Sequence, residues 1–543
     1  MYSHGLSNGA TVTVSGTLGC TTANGTRKVA NAVAGQFDLV DTDGSTPIIC
    51  DGAGTNYNDN PASDSGYSFR VYGFAPPLLY DWFFSDLDST DKTNVYNSVN
   101  AWFDDFRVVS SYPTQTMSNY HAGYFSSTGM IGILTSGAGE NPRGASIYDY
   151  WRNTLYEMQD QPFFSRWLGN SAGFPEAIRY QTLSTAHIAM TLLTQKEANG
   201  EDLFSDFPWV LGLQKYWVHN TLPPRVALSY EGFIASPNDA TGTNPNPVRD
   251  LLYAARVIHH IADVEGDTFR PKFKSWIDTM AAQNGENPGG VYWWPVVFWD
   301  GSLSSSDWTA TEPRSLPQMS NPDGGYSRVA MRSDWTSSAV YADMWTGPGV
   351  SHAGNGKERY NKGTLHVQRG DVQVLVSPTA EATRAGNATA YNTFHGATYK
   401  WYGIWWPVRT DTGALTAQVN AYSAPYKQPG WVDNYPTTVV TQNPARMDRF
   451  EDATSYVYTR SVRLDEIYGW DVSNRPAQGW SREVLYIRPG VFVVYDRTRA
   501  VDSAFYNKSY YQRIAWNVGK TPTVSAYGSG LYRTDVVDGA VHK

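Results

Sequence analysis

The chain has 543 residues, of which 41% are hydrophobic and 17% are charged, so it is globular and long enough for two to four domains. Its net charge of −9 argues against a nucleic-acid partner, which normally meets a basic surface. No apolar run approaches the length of a membrane span, so no membrane insertion is expected. Any polyanionic partner must therefore meet a local basic patch.

Residues 1–60 favour a small β module without a catalytic role. The runs TVTVSG and QFDLVDTDG alternate and end in turn residues, as short strands do. Cys20 and Cys50 form either one disulfide, which would indicate an exported protein, or two buried thiols. The start MYSHGLSNGA lacks the charged and apolar regions of a signal peptide, so we expect either that the signal has been removed from this version or that the chain is a fragment.

From about residue 66 the apolar period becomes helical. Ser89 or Thr90 is a candidate cap for one helix, and Gly200 is a candidate stop for a later one. The helical period predicts that one residue of the pair His259-His260 packs inside the helical wall and that the other is exposed. Three apolar faces carry this prediction: Val95, Val99, Trp102 and Phe106; Leu183, Ala186, Met190 and Leu193; Val248, Leu251, Leu252, Ala255 and Ile258.

From Tyr292 onward the helical period fades and strand-like alternation begins. The run Val484–Arg497 predicts two strands around Pro489-Gly490. Alternating residues on both sides of Gly370-Asp371 predict a hairpin with those residues at its tip. Lys543 follows no closing element, which is compatible with a sheet domain truncated at the C-terminus.

The stretch Gly324–Pro378 resembles the opening of the β-sandwich in heparinase II/III-like polysaccharide lyases. It holds a strand ending in MRSDW, a second strand, a Gly-rich loop with a histidine, and a hairpin. The segments LLYDWFF and GFPEAIRY…GEDLF resemble helices of the same family, in the same order. The resemblance covers roughly residues 66–500 and implies β-elimination on a uronic-acid polysaccharide.

The resemblance also implies a multidomain α+β fold class. The expected domains are the β module at 1–60, an incomplete (α/α) toroid at 61–310 that is catalytic, and an antiparallel β-sandwich at 311–543. The cleft should lie between the toroid and the sandwich. The chain has 20 Trp and 36 Tyr, whose rings suit sugar faces as well as protein cores. Trp405 and Trp406 are the candidate cleft residues among them.

Two segments carry the candidate catalytic residues of the toroid. By resemblance, Asn119 and His121 bind the substrate carboxylate or assist proton transfer; alternatively Asn119 is a helix cap and His121 a buried polar residue. Tyr180 matches the catalytic tyrosine of the family, and Glu176, four residues earlier, would orient it or a sugar hydroxyl. The alternative is a tyrosine that packs in the toroid wall.

The loop after the second sandwich strand carries His352, a further catalytic candidate by resemblance. The family loop has a His-x-His-x-Asp-like motif, whose second His and Asp are missing here unless Asn361 replaces the Asp. His352 and His395 alone make a weak metal site, so the family zinc is expected to be missing or altered. No cofactor is required; a structural zinc or calcium is not predicted. Lys357, Arg359 and Tyr360 are candidates for binding substrate carboxylates.

The sequence therefore predicts a secreted or periplasmic polysaccharide lyase whose partner is an acidic polysaccharide. A glycoside hydrolase on a similar toroid is the first alternative, because paired carboxylates have no spacing signature. A non-catalytic glycan-binding protein is the second, since the His352 loop departs from the family pattern. Only a lyase forms an unsaturated product that absorbs ultraviolet light.

Overall fold

The computed structural model divides into two compact units, residues 1–110 and residues 111–543. It describes residues 7–14, 25–33, 36–46, 73–109, 119–169, 173, 178–223, 228–230, 233–235, 247–284, 297–309, 313–321, 324–346, 364–375, 406–409, 445–464, 477–500, 510–513, 523–529, 531–535, 537–538 and 541–542. Both cysteines lie outside these ranges, and the domain boundaries at 60 and 310 stay predictions.

The first unit contains a three-stranded antiparallel sheet and two helices. The strands are β1 (Thr11–Val14), β2 (Gly25–Val33) and β3 (Gln36–Val40), and the helices are α1 (Ala75–Trp82) and α2 (Ser89–Val109). The predicted cap of α2 is wrong. Asp88 Oδ1 accepts hydrogen bonds from the backbone N–H groups of Thr90 and Asp91, so Asp88 satisfies the free donors of the first turn.

The second unit begins with helices. They are α3 (Asn119–Thr135), α4 (Gly144–Asp149), a π-helix (Tyr150–Asp160), α5 (Gln161–Trp167), α6 (Ile178–Asn199), α7 (Pro208–His219), α8 (Pro247–Val264) and α9 (Arg270–Asn284). A short hairpin of β4 (Leu228–Tyr230) and β5 (Phe233–Ala235) lies between α7 and α8. Gly200 follows α6 with φ of 71°, which confirms the predicted stop. No helix among the described residues is both long and apolar enough to span a membrane.

Helix α3 is enclosed by its neighbours, and two glycines permit the close approach. A Cβ on Gly129 would lie 2.6 Å from the Thr191 side chain of α6, and one on Gly132 would lie 2.6 Å from the backbone of Tyr148 in α4. Every residue of α3 except Leu134 is buried, polar residues included. Because it is covered on all sides, α3 is an inner helix of this unit.

Helix α8 contains the predicted histidine pair. His259 is fully buried, which confirms the predicted wall residue. His260 is half-buried against the Phe298 ring, at 5.3 Å between centroids, instead of exposed. Burial lowers the pKa of His259 from 6.5 to about 4, and the charge of Arg270 acts in the same direction.

This lowered pKa makes stability depend on pH. Between pH 4 and 6.5 the unfolded chain binds a proton at His259 that the folded protein excludes, so the free energy of unfolding falls on acidification. We expect His259→Leu to lose less stability than the wild type between about pH 7 and 4. Urea denaturation at each pH measures this difference. Parallel pH profiles for the two proteins would contradict the expectation.

From residue 315 onward every described regular element is a strand. The strands are β6 (Ser315–Ser320), β7 (Tyr326–Arg332), β8 (Val340–Trp345), β9 (Thr364–Arg369), β10 (Val372–Leu375), β11 (Trp406–Arg409), β12 (Arg446–Asp452), β13 (Tyr456–Val462), β14 (Ala477–Ile487), β15 (Val491–Ala500), β16 (Tyr510–Arg513), β17 (Thr523–Gly528), β18 (Leu531–Asp535), β19 (Val537–Asp538) and β20 (Val541–His542).

Nine of these strands form one antiparallel sheet. Its order is β10-β9-β8-β7-β12-β13-β14-β15, and β6 pairs with β7. The predicted hairpins at Gly370 and at Pro489-Gly490 are confirmed. The predicted succession of helices and then antiparallel strands is also confirmed, whereas the incomplete toroid and the β-sandwich stay predictions.

The nine-stranded sheet has two chemically different buried faces in β7, β8 and β9. One face is apolar and continues into a core with β12, β13 and β14, formed by Val329, Met331, Val340, Ala342, Met344, Leu365, Val367, Met447, Val457, Val484 and Tyr486. The alternate residues form the other face, which is mainly polar: Arg328, Ala330, Arg332, Tyr341, Asp343, His366 and Gln368. The strands therefore alternate apolar and mainly polar residues, although both of their faces are buried.

The polar face of the sheet contacts the C-terminal end of α7. Arg332 Nη2 donates to the backbone oxygens of His219 and Thr221, both at 2.8 Å. Gln368 Nε2 donates to the backbone oxygen of Pro223 at 2.6 Å. Carbonyls at a helix end have no partner within the helix, and a cation there is favoured by the helix dipole. The helices and the sheet are thus joined by charge-assisted hydrogen bonds.

Candidate active site

Helices α3 and α6 run in the same direction. Thr191 of α6 contacts Gly129 and donates to the backbone oxygen of Ser126 at 3.5 Å. Further along both helices, Tyr148 packs on Gly132 and its hydroxyl accepts a hydrogen bond from Gln195 at 2.7 Å. Residue numbers therefore increase together along the contact. The first turns of α3 and α6 lie at the same end of the helical region.

These first turns carry three of the predicted catalytic residues. Asn119 begins α3, His121 follows in the same turn, and Tyr180 lies in the first turn of α6. Tyr180 precedes Thr191 by about 16 Å of helix rise, and Asn119 precedes Ser126 and Gly129 by about 10 to 15 Å. The backbone thus brings the two segments to the same level, although they are distant in sequence.

His121 forms a buried pair with Asp160, which the sequence reading missed. Nε2 of His121 lies 2.8 and 2.9 Å from the two carboxylate oxygens, so it donates to Asp160. Asn119, His121 and Asp160 have no exposed surface. Burial raises the pKa of the Asp160 carboxyl, and the neighbouring His121 acts against that shift. A carboxylate in this position holds the imidazole ring and selects its tautomer.

The π-helix positions Asp160 for this contact. It follows α4 without interruption and runs antiparallel to α3, since Trp151 lies opposite Gly129 and Asp160 opposite His121. A π-helix shifts the side chains that follow it around the helix axis, and such segments are frequent at functional sites. No sequence motif surrounds Asp160. The only local signal is its position at the end of a helix rich in Trp and Tyr.

Helix α5 continues from Asp160 to the sheet. A Cβ on Gly169, just after α5, would lie 2.8 Å from Ser320 Oγ of β6. Gly173, the first residue of the predicted GFPEAIRY segment, adopts φ of 156° and packs against Met319 and Tyr216. The end of the helical region that holds Asn119, His121 and the start of α6 is therefore the end nearest the sheet.

One end of the sheet meets this region. The pairs Ser320↔Tyr326, Arg328↔Trp345 and Trp345↔Thr364 lie in register along that end. The chain between β8 and β9, which carries the predicted His352, leaves and re-enters the sheet at these positions. The connection therefore starts and finishes at the same end of the sheet as Ser320, which lies against Gly169.

An open cleft of about 650 Å³ lies between the helices and the sheet. Its lining residues are Gln161, Ser165, Gly169, Ser205, Asp206, Pro208, Pro317, Ser320 and Tyr326. The volume is within the range of about 300–1,000 Å³ that is usual for small-molecule sites. None of the predicted catalytic residues lines this cleft, so its identity with the predicted substrate cleft stays a prediction.

A network of charged and phenolic groups supports one wall of the cleft. The Tyr156 hydroxyl donates to Asp206 Oδ2 at 2.6 Å. The Arg152 guanidinium lies over the Tyr156 ring at 4.6 Å and pairs with Glu201 at 2.6 Å. Burial raises the pKa of Tyr156, and the hydrogen bond to Asp206 adds to that effect. Tyr156 is therefore a protonated donor that orients Asp206.

A second network connects α7 to the polar face of the sheet. Arg328 Nη1 donates to the Tyr216 hydroxyl at 2.9 Å, and its Nη2 pairs with Asp343. His366 Nδ1 lies 3.7 Å from Asp343 Oδ1. Burial lowers the pKa of His366. Burial also opposes the charged form of Arg328, but Tyr216, Asp343 and Tyr341 outweigh it and raise the pKa of Arg328. The Arg328–Asp343 ion pair and the Arg328–Tyr216 hydrogen bond therefore connect the sheet to α7, and His366 lies beside them as a neutral ring.

Most of the other predicted site residues lie outside the ranges that the structure describes. Glu176, His352, Lys357, Arg359, Tyr360, His395 and Trp405 fall outside the described ranges, and for Tyr180 and Trp406 only the backbone is described. Trp406 begins β11, which pairs with β16. The convergence of His352 with Tyr180 therefore stays a prediction. In the ranges that the structure does describe, no group of three or more His, Cys, Asp or Glu could hold a metal ion.

Comparisons with known proteins give structural neighbours only. No protein-family model matches the chain, and no curated protein matches it. The heparan sulfate lyase HepC from Pedobacter heparinus aligns at 12% identity with a TM-score of 0.45, over 82% of this chain and 56% of that one. Heparinase III aligns at 10% identity with a TM-score of 0.47, over 81% and 56%.

The chain thus spans little more than half the length of either neighbour. A structure titled Heparinase III gene product is similar at 8% identity, with a TM-score of 0.44, over 80% of this chain and 53% of that one. At such identities no residue role passes from those proteins to this chain.

Proposed function

We propose that the protein is a polysaccharide lyase that cleaves a uronic-acid polymer by β-elimination. The observation that carries the proposal is the parallel contact of α3 and α6, which brings the turns of Asn119, His121 and Tyr180 to one end of the helical region. That end adjoins the sheet and the open cleft. A site between a helical wall and a sheet suits an extended polymer.

The proposed chemistry divides three tasks among these residues. Asn119 and His121 donate hydrogen bonds to the uronate carboxylate, so that negative charge can develop there as the C5 proton leaves. Tyr180 takes that proton, the C5–H electron pair forms the C4=C5 double bond, and the C4–O bond breaks. The departing oxygen receives a proton from Tyr180 or His352. Asp160 holds the His121 ring throughout.

Other predicted residues complete the proposal. Lys357, Arg359 and Tyr360 bind further substrate carboxylates, and Glu176, Trp405 and Trp406 contact sugar rings. No cofactor is required, and the protein acts outside the cell or in the periplasm. Asn119 and His121 are covered from solvent in this structure. The proposal therefore requires that cover to open when substrate binds.

The deciding experiment is an absorbance screen. The purified protein is incubated with alginate, glucuronan, hyaluronan, chondroitin, heparin-like polymers and ulvan, and formation of the unsaturated uronate is followed in the ultraviolet. We expect an absorbance increase with at least one polymer. Release of reducing ends without absorbance would identify a glycoside hydrolase instead, and binding without cleavage would identify a glycan-binding protein.

A further inference from the structure

The cleft between helices and sheet carries a negative charge, whereas a site that binds an acidic polymer is expected to carry a positive one. Of its lining residues in the described part of the chain, Asp206 alone is charged, and it is negative. The others are small, polar or aromatic: three serines, a glutamine, a tyrosine, two prolines and a glycine. A uronate or sulfate in this cleft would face a carboxylate with no cation among those lining residues to offset it.

Asp206 is held in a fixed orientation with one oxygen available. Its Oδ2 accepts from the Tyr156 hydroxyl at 2.6 Å, and Ser165 Oγ donates to its backbone oxygen at 3.3 Å. Among the described residues no donor lies within hydrogen-bond distance of Oδ1. The residue is only partly buried and lines the cleft, so this acceptor is open to a ligand.

The remaining lining groups suit the hydroxyls and faces of an uncharged sugar. Serine hydroxyls at positions 165, 205 and 320 both donate and accept, and Gln161 offers an amide. Tyr326 supplies an aromatic ring at the sheet side, where it packs edge-on against Phe450 at 6.3 Å. A carboxylate oxygen accepts strong hydrogen bonds from sugar hydroxyls, since the acceptor is charged.

We propose that this cleft is a subsite for a neutral, hydroxyl-rich sugar residue, recognised by Asp206. The inference rests on the proposed function and deepens it: the polymer carries an uncharged sugar close to the uronate that is cleaved. A polymer of uronates alone would place a negative charge against Asp206. The proposed lyase therefore favours polymers with a neutral sugar near the cleaved uronate over polymers of uronates alone.

Calorimetric titration tests the subsite without any need for catalysis. The probes are β-1,4-linked tetrasaccharides of glucose, mannose, xylose and N-acetylglucosamine, with tetraglucuronate as the charged probe. We expect at least one neutral tetrasaccharide to bind the full chain. Asp206→Asn keeps the shape and an acceptor for Tyr156 but removes the charge, and should weaken that binding about 10-fold or more. Tetraglucuronate should bind the variant equally well or more tightly.

The matched control is Asp202→Asn. Asp202 is exposed, pairs with Lys196 at 2.8 Å and does not line the cleft, so this change should leave sugar binding unaltered. The inference is overturned if no neutral tetrasaccharide binds, if Asp206→Asn leaves that binding unchanged, or if it weakens tetraglucuronate equally. A negative absorbance screen with intact neutral-sugar binding would refute the lyase proposal alone. Lyase activity without neutral-sugar binding would refute the subsite alone.

Discussion

Tyr180→Phe is expected to leave a folded protein whose elimination rate is at least about 100-fold lower, the usual scale of general acid/base assistance. The substitution keeps the ring and its packing and removes the atom that exchanges the proton. A phenol has a pKa near 10, so the site must favour the phenolate. A cation such as Arg359 from the β8–β9 connection would do so.

The measurement is the initial rate of absorbance increase on a polymer that the wild type cleaves, with circular dichroism as the folding control. Tyr148→Phe is the matched variant. Its hydroxyl accepts from Gln195 at the far end of the α3–α6 contact, so its loss should change the rate only slightly. Near-wild-type turnover by folded Tyr180→Phe would exclude Tyr180 as the base and transfer that role to His121 or Tyr360.

Arg328→Met is expected to reduce the free energy of unfolding by about 3–5 kcal/mol, because it leaves the buried Asp343 without its cation. Arg328 is fully buried, and the side chain of Asp343 is only 5% exposed. The Tyr216 hydroxyl loses its donor in the same variant. Chemical denaturation followed by tryptophan fluorescence measures the loss.

Two further variants separate the ion pair from ordinary packing. Arg497→Met removes a 2.7 Å ion pair to Glu483 whose arginine is 62% exposed, and should cost at most about 1 kcal/mol. The double variant Arg328→Met/Asp343→Leu removes both buried charges and should recover much of the loss. If Arg328→Met were no more destabilising than Arg497→Met, the junction would not depend on this pair.

Several elements were predictable because their causes are local. The stop of α6 at Gly200 depends on one residue that tolerates positive φ. The hairpin at Gly370 depends on the same property, together with alternation on both sides. The buried face of α8 follows from the spacing of its apolar residues, all of which are covered as predicted. The cap of α2 was misassigned by one residue, because Asp88 and Ser89 are both good caps.

The candidate site was only partly predictable. Asn119, His121 and Tyr180 stood out because their segments resemble those of a known family. Asp160 and Asp206 did not, since a carboxylate that pairs with a distant histidine or tyrosine has no spacing signature. The sequence assigns no role to His366, because nothing local indicates that it is buried beside Asp343.

The sequence by itself determined where helices end and strands begin, because periodicity, caps and turn residues act over a few positions. Only the tertiary structure decided that α3 and α6 run parallel, that both faces of β7–β9 are buried, and that Asp206 is the single carboxylate among the described residues that line the cleft. The physical reason is that burial and ion pairing depend on which distant segments meet. From the sequence alone, a polar residue on a strand is predicted to face solvent. Arg328 and Arg332 are instead buried because the end of α7 packs on them.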